Sequence, residues 1–466
     1  MKKIMTIMLA LVMMVSMLAG CSQGQEQAEN TSEPASEENV ETTTENASEE
    51  SEASVATDDK VMDLETFKTL FNDQAYLIVD TRPTYAFNGW ALENEARGGH
   101  VVSSTVFSAS WLSKLESDEA IQAELDRYAI SKDKTIVTYG YSVETAKLVA
   151  DALTGLGYEN VKVLDAEFSE VAADESIELA SMAHYDYLVH PKWVKENMDN
   201  EDVLVYEASW GPGDKYREAH IPNAAHINTD DFEEGPLWNR KSDEEIEKSL
   251  LSNGITSDKT VVLYGEDITA ASRIALILKY AGVEDVRLLD GGLMAWKDAG
   301  YDLAKGGVEV TPVEAFGVTV PQKPEYIIDM DEATQLLDKE DGRLVSIRSW
   351  AEYIGETSGY DYIEAAGRID GAVYGYAGSD PWHMEDYRTP DNTMVNYEYM
   401  ADRWAKSDIS MDTVNSFYCG TGWRASETWF YAHAMGWENV SVYDGGWKEW
   451  SETEGSPVAT GEPASN

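Results

Sequence analysis

The chain has 466 residues, 86 of them acidic and 35 basic, for a net charge of −51. That charge argues against nucleic acid as a partner, because it would repel a phosphate backbone, and fits a soluble acidic surface. Two cysteines exclude a disulfide framework, and the seven histidines show no ligand spacing with cysteine or carboxylate, so no metal is expected.

The chain opens Met1-Lys2-Lys3, runs through a Met- and Leu-rich apolar stretch, and reaches Leu18-Ala19-Gly20-Cys21. The stretch is too short to cross a bilayer comfortably and reads as a secretory signal. Leu-Ala-Gly-Cys resembles a bacterial lipobox. The resemblance implies cleavage before Cys21 and lipid on its sulfur, hence a lipid-anchored protein on the extracytoplasmic face of the cell membrane. A diacylglycerol and an amide-linked chain would supply the two anchors that stable attachment needs. The alternative is an ordinary secreted protein that loses Cys21. Residues 22–59 are Glu, Ser, Thr, Asn and Ala with almost no large apolar side chain, so a disordered acidic tether is expected there.

The remainder repeats one series of landmarks three times, over 60–180, 186–306 and 323–456. Each copy opens with an apolar run and a polar end: Tyr76 to Asp80-Thr81-Arg82, Val203 to Glu207-Ala208-Ser209, and Leu344-Val345-Ser346-Ile347-Arg348. A turn-like segment follows, Gly99-His100, Ala219-His220-Ile221-Pro222 or Gly367-Arg368-Ile369-Asp370. A β-rich run then ends in Tyr139-Gly140, Tyr264-Gly265 or Tyr418-Cys419, and a last apolar run ends at Asp165, Asp290 or Asp444. From Gly140, Gly265 or Cys419 to that aspartate the spacing is the same in all three copies. A helical pattern lies between, for instance from Ala425 to Ala434, with Gly436 at the expected left-handed cap. Strand, helix, strand over this length is a βαβ unit, so each copy is predicted to be a small α/β domain built on a parallel sheet flanked by helices.

A strand ending Asp-x-Arg, a Gly-His-Ile-Pro-like turn, a strand running into Cys-x-x-Gly-x-Arg and a closing Asp-Gly-Gly-Trp resemble the rhodanese (sulfurtransferase) family. The third copy matches best, through Cys419 to Ser426 and Asp444-Gly445-Gly446-Trp447. The resemblance implies three tandem rhodanese-like domains. In that family the cysteine takes sulfane sulfur from a donor, becomes a persulfide and passes the sulfur on, so no external cofactor is expected. It also implies that the first two copies, with Gly140 and Gly265 in place of cysteine, are catalytically inert. Ser346, Arg368 and Asp370 depart from the pattern at scaffold turns. The expected donors are small anions, thiosulfate or a persulfide or polysulfide, and the expected acceptor is cyanide or a thiol.

The chemistry accords with the residues. A cysteine becomes a useful nucleophile as thiolate, and a helix N-terminus beside a cation favours that form. Gly420 and Gly422 let backbone amides point inward as an anion nest, Thr421 offers a hydroxyl to the outer sulfur, and Arg424 offers a planar cationic fork to an oxyanion. Arg424 follows Cys419 by five positions; related dual-specificity phosphatases have a loop one residue longer, so the length favours sulfur over phosphate. Trp423 either walls the pocket or packs on the core, and Arg348 either faces substrate or makes a structural salt bridge. Glu352 and Tyr353 read as structural, and His433 as a core or surface residue. An unpaired thiol in an oxidising compartment is prone to oxidation, which points to burial or use. The competing function is sulfane-sulfur storage or an interaction platform without turnover.

Overall fold

The computed structural model describes residues 60–93 and 95–463. The expected signal, lipid site Cys21 and tether lie outside the described residues. Each of the three repeats forms a five-stranded, all-parallel sheet, and the strand order is the same in each. In the third repeat the order is Ile327–Ile328, Val440–Tyr443, Val414–Tyr418, Gly342–Ser346, Val373–Tyr374. Short, Val- and Ile-rich strands covered by helices on both faces are what a buried parallel sheet requires.

The central pair carries the register that matters. Asp80 lies opposite Tyr139, Glu207 opposite Tyr264 and Ser346 opposite Tyr418. Gly140, Gly265 and Cys419 are therefore equivalent points, each just beyond the C-terminal end of a central strand. That edge is where open parallel sheets place ligands.

The helices after those points differ in what they bury. Val143–Gly155 in the first repeat buries one face, through Ala146, Val149, Ala150 and Leu153. Ile268–Ala281 in the second is buried at all 14 positions, and Trp423–Ala434 in the third is buried almost throughout. These two helices pack against each other as well as against their own sheets. One hydrophobic core consequently runs through both repeats, from Ile246, Ile274 and Leu288 to Val345, Trp429 and Val442. The first repeat keeps cores of its own on the two sides of its sheet, around Trp111 and around Phe168. It docks on the third partly through Arg127, whose guanidinium donates to the carbonyls of Glu385, Asp386 and Arg388.

The departures from the sequence pattern are explained by local substitutions of partner. His100 and His220 use Nδ1 to meet the carbonyls of Phe87 and Tyr216. Arg368 reaches the corresponding carbonyl of Tyr353 with Nη1 at 3.3 Å, so the turn survives the change. The helix after Cys419 starts at Trp423 rather than near Ala425, because Gly422, at φ +101°, completes the turn early. Gly436 takes the left-handed conformation, φ +83°, after the helix ends.

Candidate active site

Cys419 follows directly from Val414–Tyr418 and is 2% exposed. Beyond it, the positive φ of Gly422 swings the backbone back so that the Gly422 N–H donates to Cys419 Sγ at 3.2 Å. No side chain caps the helix Trp423–Ala434. Its free N-terminal amides, with the positive end of the helix dipole, are thus left for the sulfur. Thr421 is nearly buried and approaches the phenol of Tyr362.

Arg424 is placed differently from expectation. Both ends of its fork are spent on Glu352, Nη1 to Oε2 and Nη2 to Oε1, each at 2.9 Å. Arg348 joins the same carboxylate through Nε at 3.2 Å and donates to the carbonyls of Gly367 and Ser358. The salt-bridge alternative is therefore the one that Arg348 adopts. A lone buried guanidinium is too costly to leave unpaired, and Ser346 cannot serve Arg348 as Asp80 serves Arg82. Glu352 takes over that duty for both arginines. Burial alone would raise the Glu352 carboxyl, but Arg424 and Arg348 overcome it and hold it at about 2. Two cations on one anion leave a net positive charge in the wall beside Cys419. Burial works against the Arg424 charge, yet the paired Glu352 carboxylate offsets it and keeps that guanidinium protonated.

Trp423 is tied to the second repeat. Its indole N–H donates to Glu233 Oε1, on the second repeat, at 2.7 Å. Asp444 also joins the repeats, accepting the Arg240 N–H at 2.7 Å. His433 is half-buried and stacks on Trp429, and desolvation brings its pKa down to about 4.

Two tyrosines roof the loop. Tyr360 and Tyr362 stack at 5.0 Å, and Tyr360 donates its hydroxyl to the Pro381 carbonyl. Gly420 is needed for this approach, since a Cβ there would lie 2.8 Å from the Tyr360 ring. Burial raises both phenols, Tyr362 to about 12, so both are neutral donors. Trp382 packs edge-on to Tyr360, and Trp238 of the second repeat tilts against Tyr362. Sequence reasoning missed Tyr360, Tyr362, Trp238 and Glu233. The only available signal was Tyr360-Asp361-Tyr362 in a long connection between Ile354 and Arg368.

Comparison with known proteins agrees with this geometry. The model of the rhodanese-like domain matches residues 63–174, 190–299 and 329–453. Thiosulfate sulfurtransferase YnjE of Escherichia coli is 43% identical over 393 residues, covering 82% of this chain and 89% of that protein. Sulfur carrier protein TtuD of Thermus thermophilus is 32% identical and covers 60% of this chain and 99% of its own length. Among solved structures, wild-type EanB superposes with a TM-score of 0.82 at 39% identity, over 87% of this chain and 98% of that one. A variant of EanB holds a cysteine persulfide in a tetrahedral intermediate with ergothioneine, with a TM-score of 0.83 at 38% identity, over 86% of this chain and 100% of that one. From the repeated fold, the loop at Cys419 and these likenesses, the chain belongs to the rhodanese-like family and is an enzyme of the sulfurtransferase type.

Proposed function

We propose that Cys419 takes sulfane sulfur from a small anionic donor, thiosulfate or a persulfide or polysulfide, and passes it to cyanide or a thiol. With thiosulfate, the Cys419 thiolate attacks the outer sulfur, the new S–S bond forms, and sulfite leaves with the electron pair of the old one. The cysteine persulfide then gives up its outer sulfur to the acceptor and returns to thiolate. Gly420, Thr421 and Gly422 line the loop that holds the persulfide anion, with Trp423 at its exit. Arg424 and Arg348 act through their shared excess charge rather than by gripping the donor. The observation that carries this reading is the Gly422 N–H on Cys419 Sγ at an uncapped helix start.

Replacing Cys419 with Ser tests it. Sulfur transfer to cyanide should vanish, and intact-mass measurement of donor-treated protein should no longer show one added sulfur; transfer that survives overturns the assignment. A persulfide that forms but never discharges to any acceptor would favour storage. The charge of −51 repels a dianionic donor, and salt screens that field beyond about 10 Å. The donor on-rate should therefore rise with ionic strength.

A second acceptor has its own support. EanB complexes with hercynine and ergothioneine include variants at a tyrosine and a threonine whose spacing from the persulfide cysteine equals that of Tyr360 and Thr421 from Cys419. The Chlorobium limicola enzyme is described with trimethyl histidine as its natural substrate. The trimethylammonium and imidazole groups of such an acceptor suit the Tyr360, Tyr362 and Trp382 faces. Incubation with polysulfide and hercynine, followed by mass detection of the thione, decides between this acceptor and a simple thiol.

The Lys2-Lys3 start, the apolar run and Leu18-Ala19-Gly20-Cys21 support lipid anchoring through Cys21 on the extracytoplasmic face. Metabolic labelling with a fatty acid, lost in Cys21→Ala, tests that location.

A further inference from the structure

Besides Glu233 and Trp238, the second repeat reaches the Cys419 loop through a buried cation. Arg273, on Ile268–Ala281, is wholly buried. Its Nε donates to Glu233 Oε2 at 3.0 Å and its Nη2 to the Trp238 carbonyl at 3.1 Å. Nη2 also stands 2.6 Å from Asp444 Oδ1, an ion pair across the two repeats. Nη1 is buried and donates to no protein acceptor. It abuts the turn that orients the sulfur, for a Cβ on Gly422 would lie only 3.2 Å from it. One guanidinium therefore supports the Gly422 turn directly, the helix start through Glu233 and Trp423, and the neighbouring strand end through Asp444.

Its charge is as notable as its position. Glu233 and Asp444 are the anions that face Arg273, while Arg424, Tyr360 and Tyr362 are the groups that face Cys419, with Glu352 behind Arg424. Burial already raises the Glu233 carboxyl to about 7 against the pull of Arg273, so without Arg273 the chief uncompensated anion would be Asp444, beside a loop that must carry a thiolate and then a persulfide anion. Like charges disfavour both species. The partner helix carries the opposite charge at the equivalent position. The position in the third repeat equivalent to Arg273 is Glu427, an anion, which is bound instead by Arg388 at 2.9 and 2.6 Å.

We propose that Arg273 is a positioning residue for sulfur transfer: the cysteine-less second repeat lends the third a cation that holds the Gly422 turn against Cys419 and balances Glu233 and Asp444. The role rests on the reading of Cys419 as the sulfur-carrying nucleophile. Completing its neighbour's active site then gives the second repeat a task despite its missing cysteine.

The test compares full-length Arg273→Met and Arg273→Lys proteins with the parent. The rate at which neutral iodoacetamide alkylates Cys419, followed at the peptide level against pH, reads the thiolate directly and needs no sulfur donor. In Arg273→Met the profile should move to higher pH, with the rate at neutral pH falling about tenfold. Arg273→Lys should recover most of it, and kcat for sulfur transfer should fall in Met with little change in KM. A folded Met variant whose profile superimposes on the parent overturns the proposal. So does an equal loss in Lys and Met, which would make the contact merely structural. If Arg273→Met does not fold, Asp444→Asn serves instead: it keeps an acceptor for the Arg240 N–H, removes the anion that stands 2.6 Å from Arg273, and should move the profile to lower pH. No shift there also overturns the proposal. A shift as expected in protein that never transfers sulfur would leave Arg273 its role and refute the sulfur-transfer reading instead.

Discussion

The Cys419 loop and the Gly265 loop leave equivalent strand ends and enter helices that pack on each other, yet those helices start differently. Cys419 is followed five positions on by Arg424, and Gly265 by Ala270. The helix after Gly265 is closed by Asp267, whose Oδ1 accepts the Thr269 N–H at 2.9 Å. In the first repeat Ser142 closes the corresponding helix in a capping box with Thr145. Only the third of these helices starts on a glycine with no side-chain cap, and there the free amide meets sulfur. The Gly140 and Gly265 loops thus differ from the Cys419 loop by more than a cysteine. There a carboxylate or hydroxyl of the chain itself meets the helix-start amides that the third repeat leaves without a side-chain cap.

The sharpest way to break this comparison is to move the cysteine. In a Cys419→Ser background, Gly265→Cys should give neither persulfide by intact mass nor sulfur transfer. A Cβ at Gly265 would meet the carbonyl oxygens of Asp267 and Ala208 at 2.8 and 2.9 Å, and Asp267 already holds the helix start. Measurable transfer from the relocated cysteine would show that the thiol alone defines the site.

The next effect is on stability. Glu352→Gln removes the one anion between Arg348 and Arg424, both buried, and should cost about 3–5 kcal/mol in denaturant unfolding, as breaking a buried ion pair does. Its pH dependence has a definite sign. The Glu352 carboxyl is held at about 2 against an ordinary value of 4.5, so its contribution is full above 4.5 and is lost as pH falls toward 2. The parent should lose stability over that window more steeply than Glu352→Gln. Parallel slopes would mean that the triad is not ionised as described.

Much of this architecture is legible in the sequence because it depends on local periodicity. The parallel strands and the equivalence of Gly140, Gly265 and Cys419 follow from apolar runs and constant spacing, and the register Ser346 to Tyr418 bears this out. Of the nest expected from Gly420 and Gly422, the Gly422 amide is the one that meets Cys419 Sγ. What the sequence hid is partnership across long separations. Arg424 read as a free cation because Glu352 lies 72 positions away, and Trp423 read as a wall or core residue because Glu233 lies 190 positions away. Nothing in a one-dimensional pattern says that two repeats will share a core, so Arg273 was invisible. The aromatic roof escaped for a related reason: Tyr360 and Tyr362 sit in a connection with no periodicity.

A smaller effect belongs to the Gly422 turn. Gly422→Ala puts a Cβ on a residue at φ +101° and 3.2 Å from Arg273 Nη1. The strain should cost about 1–3 kcal/mol, and because it tilts the amide away from sulfur, kcat should fall out of proportion to the lost stability. Retained kcat in a destabilised protein would separate the amide from the chemistry.

The smallest effect tests the silent side of the comparison. Asp267→Ala deletes the cap of Ile268–Ala281 and should cost about 1 kcal/mol, the usual worth of such a residue. The helix is buried at all 14 positions, so packing will keep it formed. It also carries Arg273, but one turn or more beyond the cap, where loss of a first-turn hydrogen bond is not felt. Sulfur transfer should therefore be unchanged while the unfolding midpoint drops slightly. Were transfer to fall with Asp267→Ala, the start of the silent helix would be coupled to the Cys419 loop through the shared core, and the two loops would have to be treated as one device rather than as an active copy beside a closed one.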